Sequence, residues 1–188
     1  MTIAQHRLTA QDYEAFVLSG IEGQWELHDG VLVEKPAMTL AHLDVISRLS
    51  FHLQRQLDVD QFSVYSEGRV RHPEASVFLP DVMVVPDAYR AQFIDRPDRL
   101  AVFAGPLPLV VEVWSRSTGH YDVAAKLPIY QQRGDAEIWL IHPYERTLTS
   151  WRRQPDGSYV SQVHDAGHVR PIALPDVKIE LASLFRAR

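Results

Sequence analysis

The sequence predicts an α/β fold in which helices pack over a β-sheet. The segments VVEV at 110–113 and IWLI at 138–141 are almost continuously apolar, as expected of strands covered on both faces. Residues 121–133 lie between them and indicate a helix that ends at Gly134. A second helix is indicated from Thr39 to about Leu57, where apolar side chains recur at helical spacing.

The composition is that of an ordinary globular protein. The chain has 188 residues, of which 46% are hydrophobic and 23% charged, and this length corresponds to one domain. The net charge is −5, so the chain lacks the overall positive charge that is typical of nucleic-acid-binding proteins. A nucleic-acid partner would have to be bound by a local group of residues. The absence of cysteine excludes disulfides, iron–sulfur clusters and cysteine-ligated zinc.

The first part of the chain indicates a helix, a hairpin and the long helix already described. Thr9 and Asp12 have the spacing of an N-terminal capping box. Asp29 and Gly30 separate two alternating apolar runs, which predicts a hairpin over residues 25–35 with a type I′ turn.

Strands dominate the rest of the chain. The segments FSVYSE, SVFLPDVMVV, LPLVVEVWS and AEIWLIHP are rich in Val, Ile, Phe and Trp, which favours strands. TLTSWRRQPDGSYVSQV predicts a hairpin around Asp156 and Gly157, and LASLF predicts a final turn. We expect one domain over residues 1–188, with a core at about 21–145 and a C-terminal β-hairpin extension at about 146–188.

No targeting or membrane segment is expected. The start of the chain lacks the apolar run behind a basic flank that marks a secretory signal. The longest apolar stretches fall far below the roughly 20 residues that span a bilayer. The sequence therefore predicts a cytoplasmic protein.

Two carboxylates lie within segments that should be buried. Asp81 follows Pro80 at the entrance of VMVV, and Glu112 interrupts LVVEVW. An unpaired buried carboxylate costs several kcal/mol, so each acid needs a cation, a metal or hydrogen-bond donors nearby. Arginine could supply the partner, but two strand acids with a lysine close behind are also the minimum set for a Mg²⁺-dependent phosphodiesterase.

Lysine is scarce, and against sixteen arginines the chain has only Lys35, Lys126 and Lys178. Lys126 falls on one helical face with Asp122 and Tyr130, at spacings of four residues. The same spacing also fits a surface salt bridge between Lys126 and Asp122. Pro128 should kink this helix or lie within its first turns.

These residues together resemble a known family. PDVMVV, LVVEVWSRST, the set Asp122, Lys126 and Tyr130, and then EIWLIHP occur in the order found in the Uma family of restriction-endonuclease-like proteins, within the PD-(D/E)XK nuclease superfamily. WELHDG and the stretch Pro36 to His42 match the front end of that family, so the resemblance covers residues 9–150 approximately. It implies a restriction-endonuclease-like fold, a mixed central sheet flanked by helices, with added N- and C-terminal β-hairpins.

The resemblance also implies a metal site. Asp81 and Glu112 correspond to the two metal-binding acids of the superfamily, for Mg²⁺ or Mn²⁺, and the carbonyl of Val113 adds a ligand. Lys126 corresponds to the catalytic lysine. In the usual superfamily pattern that lysine lies two residues after the second acid, where this chain has Trp114. The resemblance places the lysine on the following helix instead.

Three further residues have open roles. Glu26 and His42 match a Glu and a His at the front end of the family. Glu26 faces either solvent or the metal, where it would hold a second metal or a water. His42 is either a hydrogen-bonded core residue or a catalytic residue. Tyr130 either packs in the core or contacts a substrate phosphate.

The leading hypothesis is a Mg²⁺-dependent endonuclease that hydrolyses DNA phosphodiester bonds by metal-activated water. The alternative is a catalytically silent nuclease-fold module that binds nucleic acid or protein. We expect a homodimer that pairs through the C-terminal hairpins, and Arg152 and Arg153 beside Trp151 as contacts to the DNA backbone. No nucleotide cofactor is expected, because neither GxGxxG nor a Walker loop occurs.

Overall fold

The computed structural model describes residues 7–72 and 75–185 of the chain. Its α-helices are α1 Ala10–Leu18, α2 Leu40–Gln54, α3 Asp87–Arg90, α4 Gly119–Tyr121 and α5 Leu127–Arg133. A π-helical turn at Asp122–Lys126 joins α4 to α5, and 3₁₀ turns lie at Ala91–Phe93 and Leu181–Leu184. The strands are β1 Trp25–His28, β2 Val31–Glu34, β3 Phe62–Tyr65, β4 Arg69–Arg71, β5 Val77–Phe78, β6 Val82–Pro86, β7 Val102–Phe103, β8 Leu109–Val113, β9 Glu137–His142, β10 Thr147–Arg153, β11 Tyr159–His164, β12 His168–Val169 and β13 Ile179–Glu180.

The larger sheet has six strands in the order β11, β10, β9, β8, β6 and β3. Its central pair, β8 and β9, is parallel and the other pairs are antiparallel, so the sheet is mixed. A parallel pair needs a crossover, which here is the helical segment 119–133. The prediction that VVEV and IWLI form central strands is confirmed.

The smaller sheet has five strands in the order β2, β1, β5, β4 and β7. Its first two strands are the predicted hairpin. Asp29 and Gly30 have φ angles of 48° and 78°, the two positive values that a type I′ turn requires. Leu27 of β1 pairs with Val77 of β5, so the N-terminal hairpin is an integral part of this sheet.

One predicted strand is divided. The sequence predicts a single strand over SVFLPDVMVV, and this is wrong, because β5 ends at Phe78, β6 begins at Val82, and the two belong to different sheets. Pro80 explains the break, since it has no N–H to donate to a ladder and restricts the residue before it. Asp81 consequently lies at the junction of the two sheets.

Two apolar cores lie on the two faces of the larger sheet. On one face, α2 buries Leu49 completely against residues of β6, β8 and β9. On the other face, α5 and the smaller sheet enclose a core that contains Phe78 and Tyr130. The segment after β11 packs into the first core, where the Arg48 guanidinium donates to the Ser183 carbonyl (3.0 Å).

Several local predictions are confirmed. The Thr9 hydroxyl accepts from the Asp12 N–H (3.2 Å) and the Asp12 carboxylate accepts from the Thr9 N–H (2.8 Å), so the capping box is present. Gly134 ends α5 with a φ of 78°, and the hairpin around Gly157 is formed by β10 and β11. Strands of two or three residues, such as β4 and β7, escaped prediction because they are too short to show a period. None of the helices in residues 7–72 and 75–185 combines the length and the apolar character needed to cross a membrane.

Arg133 fastens the crossover helix to the smaller sheet. Its buried guanidinium donates to the carbonyls of Arg71 (2.6 Å), Phe103 (3.0 Å) and Gly105 (2.6 Å). It also contacts the Asp135 carboxylate at 3.0 Å, and neither side chain is exposed. One side chain therefore satisfies several backbone carbonyls and a buried carboxylate at once.

We predict that Arg133→Met lowers the free energy of unfolding by about 3–5 kcal/mol, because it leaves a buried carboxylate unpaired. Arg133→Met combined with Asp135→Asn should recover part of that loss. Arg96→Met is the matched control, since Arg96 pairs with Asp98 at 3.6 Å on the surface and should change stability by about 0–1 kcal/mol. Urea denaturation measures all three, and equal losses in the Arg133 and Arg96 variants would contradict the assignment.

Candidate active site

Charged and phenolic side chains from both sheets, α2 and the π turn meet where the two sheets join. We call them the acid–lysine cluster, which consists of Glu26, Lys35, His42, Asp81, Glu112, Tyr121, Asp122, Lys126 and Tyr130. The local sequence explains their direction. Glu26 alternates with the core residue Leu27 on β1, and Glu112 alternates with the core residues Val111 and Val113 on β8.

Asp81 is held from three sides. Lys35 Nζ lies 2.7 Å from Oδ1, while the Val113 N–H donates to Oδ2 at 2.7 Å and His42 Nε2 lies 3.1 Å from that oxygen. Lys35 also donates to the Leu79 carbonyl at 3.0 Å. Burial opposes ionisation, but the neighbouring His42 ring and the charge of Lys35 hold the pKa of Asp81 well below its usual range.

Glu112 is fully enclosed. Its Oε1 atom accepts from the Tyr130 hydroxyl at 2.5 Å and lies 3.2 Å from Lys126 Nζ. Burial raises the pKa of Glu112 well above its usual range; the charge of Lys126 opposes this shift, and the charges of Asp122 and Asp81 add to it. Glu112 therefore holds a proton more readily than an ordinary glutamate does.

Lys126 joins three acids. Its Nζ atom lies 2.9 Å from Glu26 Oε1, 3.2 Å from Glu112 Oε1 and 3.2 Å from Asp122 Oδ1. Burial alone would lower the pKa of Lys126, but the three carboxylates raise it well above its usual range, so the side chain stays charged. The alternative of a surface salt bridge with Asp122 is wrong, because the side chains are only 1% and 4% exposed.

The π turn brings Asp122 and Tyr130 onto the same side of the helical segment as Lys126. In an uninterrupted α-helix, Tyr130 would lie about 80° around the axis from Asp122. In the π turn the Leu127 N–H donates to the Asp122 carbonyl, five residues back. Each residue of this turn therefore advances through a smaller angle than in an α-helix, which reduces the angle between Asp122 and Tyr130 around the axis. The wider turn also accommodates Pro128, which in an α-helix would clash with the carbonyl four residues earlier.

The cluster does not satisfy all of its own hydrogen-bonding groups. Within residues 7–72 and 75–185, the buried side-chain polar atoms that lack an aligned hydrogen-bond partner are both ring nitrogens of His42, the Tyr121 hydroxyl and Asp122 Oδ1. His42 Nε2 and Asp122 Oδ1 lie within ion-pair distance of their neighbours, but off the hydrogen-bond direction. Because buried polar groups normally find partners, this is the place in the fold where a polar ligand is expected.

The charges of the cluster are unequal. Its four carboxylates face two ammonium groups, which gives a formal charge of −2 when His42 is neutral and every acid is ionised. Buried negative charge in excess must be compensated by protons or by a cation. Carboxylate oxygens are the ligands that Mg²⁺ and Mn²⁺ prefer, so donor type and charge both fit a divalent cation.

The ligand geometry itself is not formed. Across the described ranges 7–72 and 75–185, no three His, Asp or Glu side chains are arranged to hold a metal ion. Lys35 and Lys126 instead occupy positions against the carboxylates of Asp81 and Glu112. A cation bound to these two acids would have to share them with the two ammonium groups.

The structure brings together most of the residues that the sequence singled out, namely Glu26, His42, Asp81, Glu112, Val113, Lys126 and Tyr130. The sequence predicts the carbonyl of Val113 as a metal ligand, and the contact seen here is from its N–H to Asp81. Glu26 faces the cluster and not solvent, since it accepts from the Leu79 N–H at 2.9 Å. Tyr130 is completely buried and its hydroxyl donates to Glu112, so it packs in the core and positions that acid.

Arg152 and Arg153 are not brought to the cluster. In the sheet register Arg152 lies opposite Glu137, the first residue of β9, whereas Glu112 lies beside Leu140 further along that strand. The Arg152 guanidinium also contacts the Glu137 carboxylate at 3.2 Å. The expected backbone contact with DNA therefore has no place next to the candidate catalytic acids.

Lys35 and Tyr121 are the members of the cluster that sequence reasoning missed, and Lys35 is the charged one. Its side chain is 5% exposed and contacts Asp81, and it is the last residue of the predicted hairpin, directly after β2. The signal that drew attention to Lys126 applied equally to Lys35, because lysine is scarce in this chain. Two of the three lysines are in the cluster.

Comparison with known proteins agrees with the fold and identifies the family. The family model Uma2, described as "Putative restriction endonuclease", matches residues 10–182. Among solved structures, a putative nuclease belonging to DUF820 from Anabaena variabilis ATCC 29413 has a TM-score of 0.73 at 16% sequence identity, covering 94% of this chain and 97% of that chain. No curated protein matches the chain. Because the family model extends over nearly the whole sequence, this protein belongs to the Uma2 family.

Proposed function

We propose that this chain is a metal-dependent endonuclease that hydrolyses DNA phosphodiester bonds with water. The observation that carries the proposal is the convergence of two acids, Asp81 just before β6 and Glu112 on β8, with Lys126 in one buried cluster. The description of the Uma2 family supports the class of reaction and a nucleic acid as the substrate.

Asp81 and Glu112 would hold Mg²⁺ or Mn²⁺, with the carbonyl of Val113 as a further ligand. When bound, the cation would activate a water for attack on phosphorus and offset the charge of the phosphate. Glu26 lies against Lys126 and is placed to orient that water or to bind a second cation.

Lys126 contributes a fixed positive charge in a place that excludes water. A preorganised charge of this kind stabilises the negative charge that develops on a phosphate during hydrolysis. His42 and Lys35 keep Asp81 in position. Asp81 and Glu112 are each only 1% exposed, so a phosphodiester reaches them only after the surrounding segments move.

The alternative is a catalytically silent binding module. The observation in its favour is that the carboxylates of Asp81 and Glu112 are already paired with lysines. Such a module would use its surface, and not the cluster, for a protein or nucleic-acid partner.

In either case, the expected homodimer would pair through β11, which is an edge strand of the larger sheet.

Cleavage of supercoiled plasmid tests the proposal. We predict nicking in Mg²⁺ or Mn²⁺ and none in excess EDTA. Glu112→Gln should lower the rate by about 10²-fold or more, because it removes the carboxylate that would hold the cation and keeps an acceptor for Tyr130. The control Glu180→Gln alters a carboxylate that is 44% exposed, and it should leave the rate unchanged.

Two outcomes would contradict the proposal. If the wild-type chain cuts neither plasmid nor single-stranded DNA with either ion, the silent module is favoured. If Glu112→Gln cuts as fast as the wild type, any hydrolysis takes place elsewhere in the molecule.

The metal-free protein should respond differently to the loss of each acid. Asp81→Asn should lower the free energy of unfolding by about 3–5 kcal/mol, because Lys35 loses its buried counter-ion. The lowered pKa of Asp81 keeps its contribution constant above the usual aspartate range, so the loss should be equal at about pH 5 and about pH 8.

The effect of Glu112→Gln on stability should, in contrast, change with pH. The raised pKa of Glu112 makes the wild type lose stability as pH rises above the usual glutamate range, and the glutamine variant escapes this loss. The free energy of unfolding of the variant should therefore rise relative to that of the wild type between about pH 5 and about pH 8. Urea denaturation in EDTA measures both variants, and parallel pH profiles for Glu112→Gln and the wild type would contradict the raised pKa.

A further inference from the structure

An aromatic cluster lies directly beyond the candidate catalytic acid on the larger sheet. In the register of β8 and β9, Glu112 lies beside Leu140. Trp114 and His142 each follow two residues later, and the Trp114 N–H continues the ladder by donating to the carbonyl of the residue before His142 (2.8 Å). Because side chains alternate along a strand, both rings belong to the face that carries Glu112.

The rings form an ordered group, which we call the aromatic platform and which consists of Trp114, His142 and Tyr144. The rings of Trp114 and His142 are stacked, with centroids 4.2 Å apart and an interplanar angle of 26°. Tyr144 meets both edge-on, at 6.2 and 6.3 Å. A Cβ atom at Gly119 would overlap the indole nitrogen, so this glycine lets the indole lie against the backbone of α4.

The platform is partly exposed, whereas the acid is not: Trp114 and His142 are half-buried, and Tyr144 is exposed. Tyr144 is 53% exposed, and Glu112 is 1% exposed. The Tyr144 hydroxyl lies 3.3 Å from the Thr39 hydroxyl at the N-cap of α2, the helix that carries His42 to Asp81. The platform therefore lies beside the N-terminus of the helix that carries His42 into the acid–lysine cluster.

The spacing suits one nucleotide. Two residues along a strand span about 6.6–6.8 Å, so a phosphate placed at Glu112 brings its neighbouring base within reach of the rings. Aromatic side chains bind unpaired bases by stacking, largely without regard to sequence. Arg116, two residues after Trp114, is exposed and adds positive charge near the platform, while Glu145 faces His142 at 3.7 Å.

We propose that the aromatic platform stacks on an unpaired nucleobase beside the phosphate that is cut. The substrate is then single-stranded DNA, or DNA with an unpaired base at the cleavage point. This inference rests on the proposed function, because it uses the acid–lysine cluster as the place of the phosphate.

The test measures binding without cleavage. All variants carry Glu112→Gln, and the binding of a fluorescein-labelled single-stranded oligonucleotide and of its duplex is followed by anisotropy at low salt. Trp114→Ala should weaken binding of the single strand by about 5- to 100-fold, as expected for the loss of one base stack. Trp114→Phe keeps a ring and should stay close to the parent. Tyr144→Ala, at an exposed position, should weaken binding without affecting the fold.

Two comparisons complete the test. Duplex binding should be weaker than single-strand binding and should not change in Trp114→Ala. Quenching of tryptophan fluorescence by the single strand should persist in Trp25→Phe and fall in Trp114→Phe, because Trp25 packs on Phe16 away from the cluster.

The outcomes separate this inference from the proposed function. If the wild type cuts DNA in Mg²⁺ but Trp114→Ala and Tyr144→Ala bind the single strand like their parent, the platform is refuted and the nuclease stands. If the duplex binds more tightly than the single strand, the platform is likewise refuted. If no DNA is bound or cut, both proposals fall.

Discussion

The ammonium group of Lys126 is the contact on which the centre of this fold depends. It joins carboxylates from three separate elements, Glu26 on β1, Glu112 on β8 and Asp122 in the π turn. Without it, three buried acids would repel one another where the two sheets meet. Because the attraction between buried charges is largely offset by their desolvation, the cluster sets the mutual geometry of sheets and crossover helix more than it adds net stability.

The sequence is informative wherever burial and chemistry conflict. A carboxylate within the apolar run LVVEVW demands a partner, and this conflict alone singles out Glu112. Lys35 could not be found in this way, since its contact with Asp81 depends on packing across the sheet junction between residues 46 positions apart. The position of Arg152 and Arg153 relative to the cluster shows a similar limit, because alternation along a strand says nothing about which end of the sheet carries the site.

The acid–lysine cluster is buried from solvent, yet it contains more carboxylates than ammonium groups, and these two properties oppose each other. Burial favours neutral groups, yet its carboxylates outnumber its ammonium groups, and His42 and Tyr121 hold buried polar atoms without aligned partners. A self-contained structural network would be expected to balance its charges and satisfy its hydrogen bonds. We interpret the imbalance as room for a divalent cation, and the partly exposed aromatic platform as the side from which the substrate arrives.

Calorimetric titration of Mn²⁺ into the metal-free protein tests the central claim, that Asp81 and Glu112 together take up a divalent cation. The account predicts one saturable site in the wild type and in the control Glu180→Gln. It predicts that the site is lost or much weakened in Glu112→Gln and Asp81→Asn, with folding of each variant checked by circular dichroism. Absence of binding to the folded wild type, or unchanged affinity in Glu112→Gln, would contradict the claim.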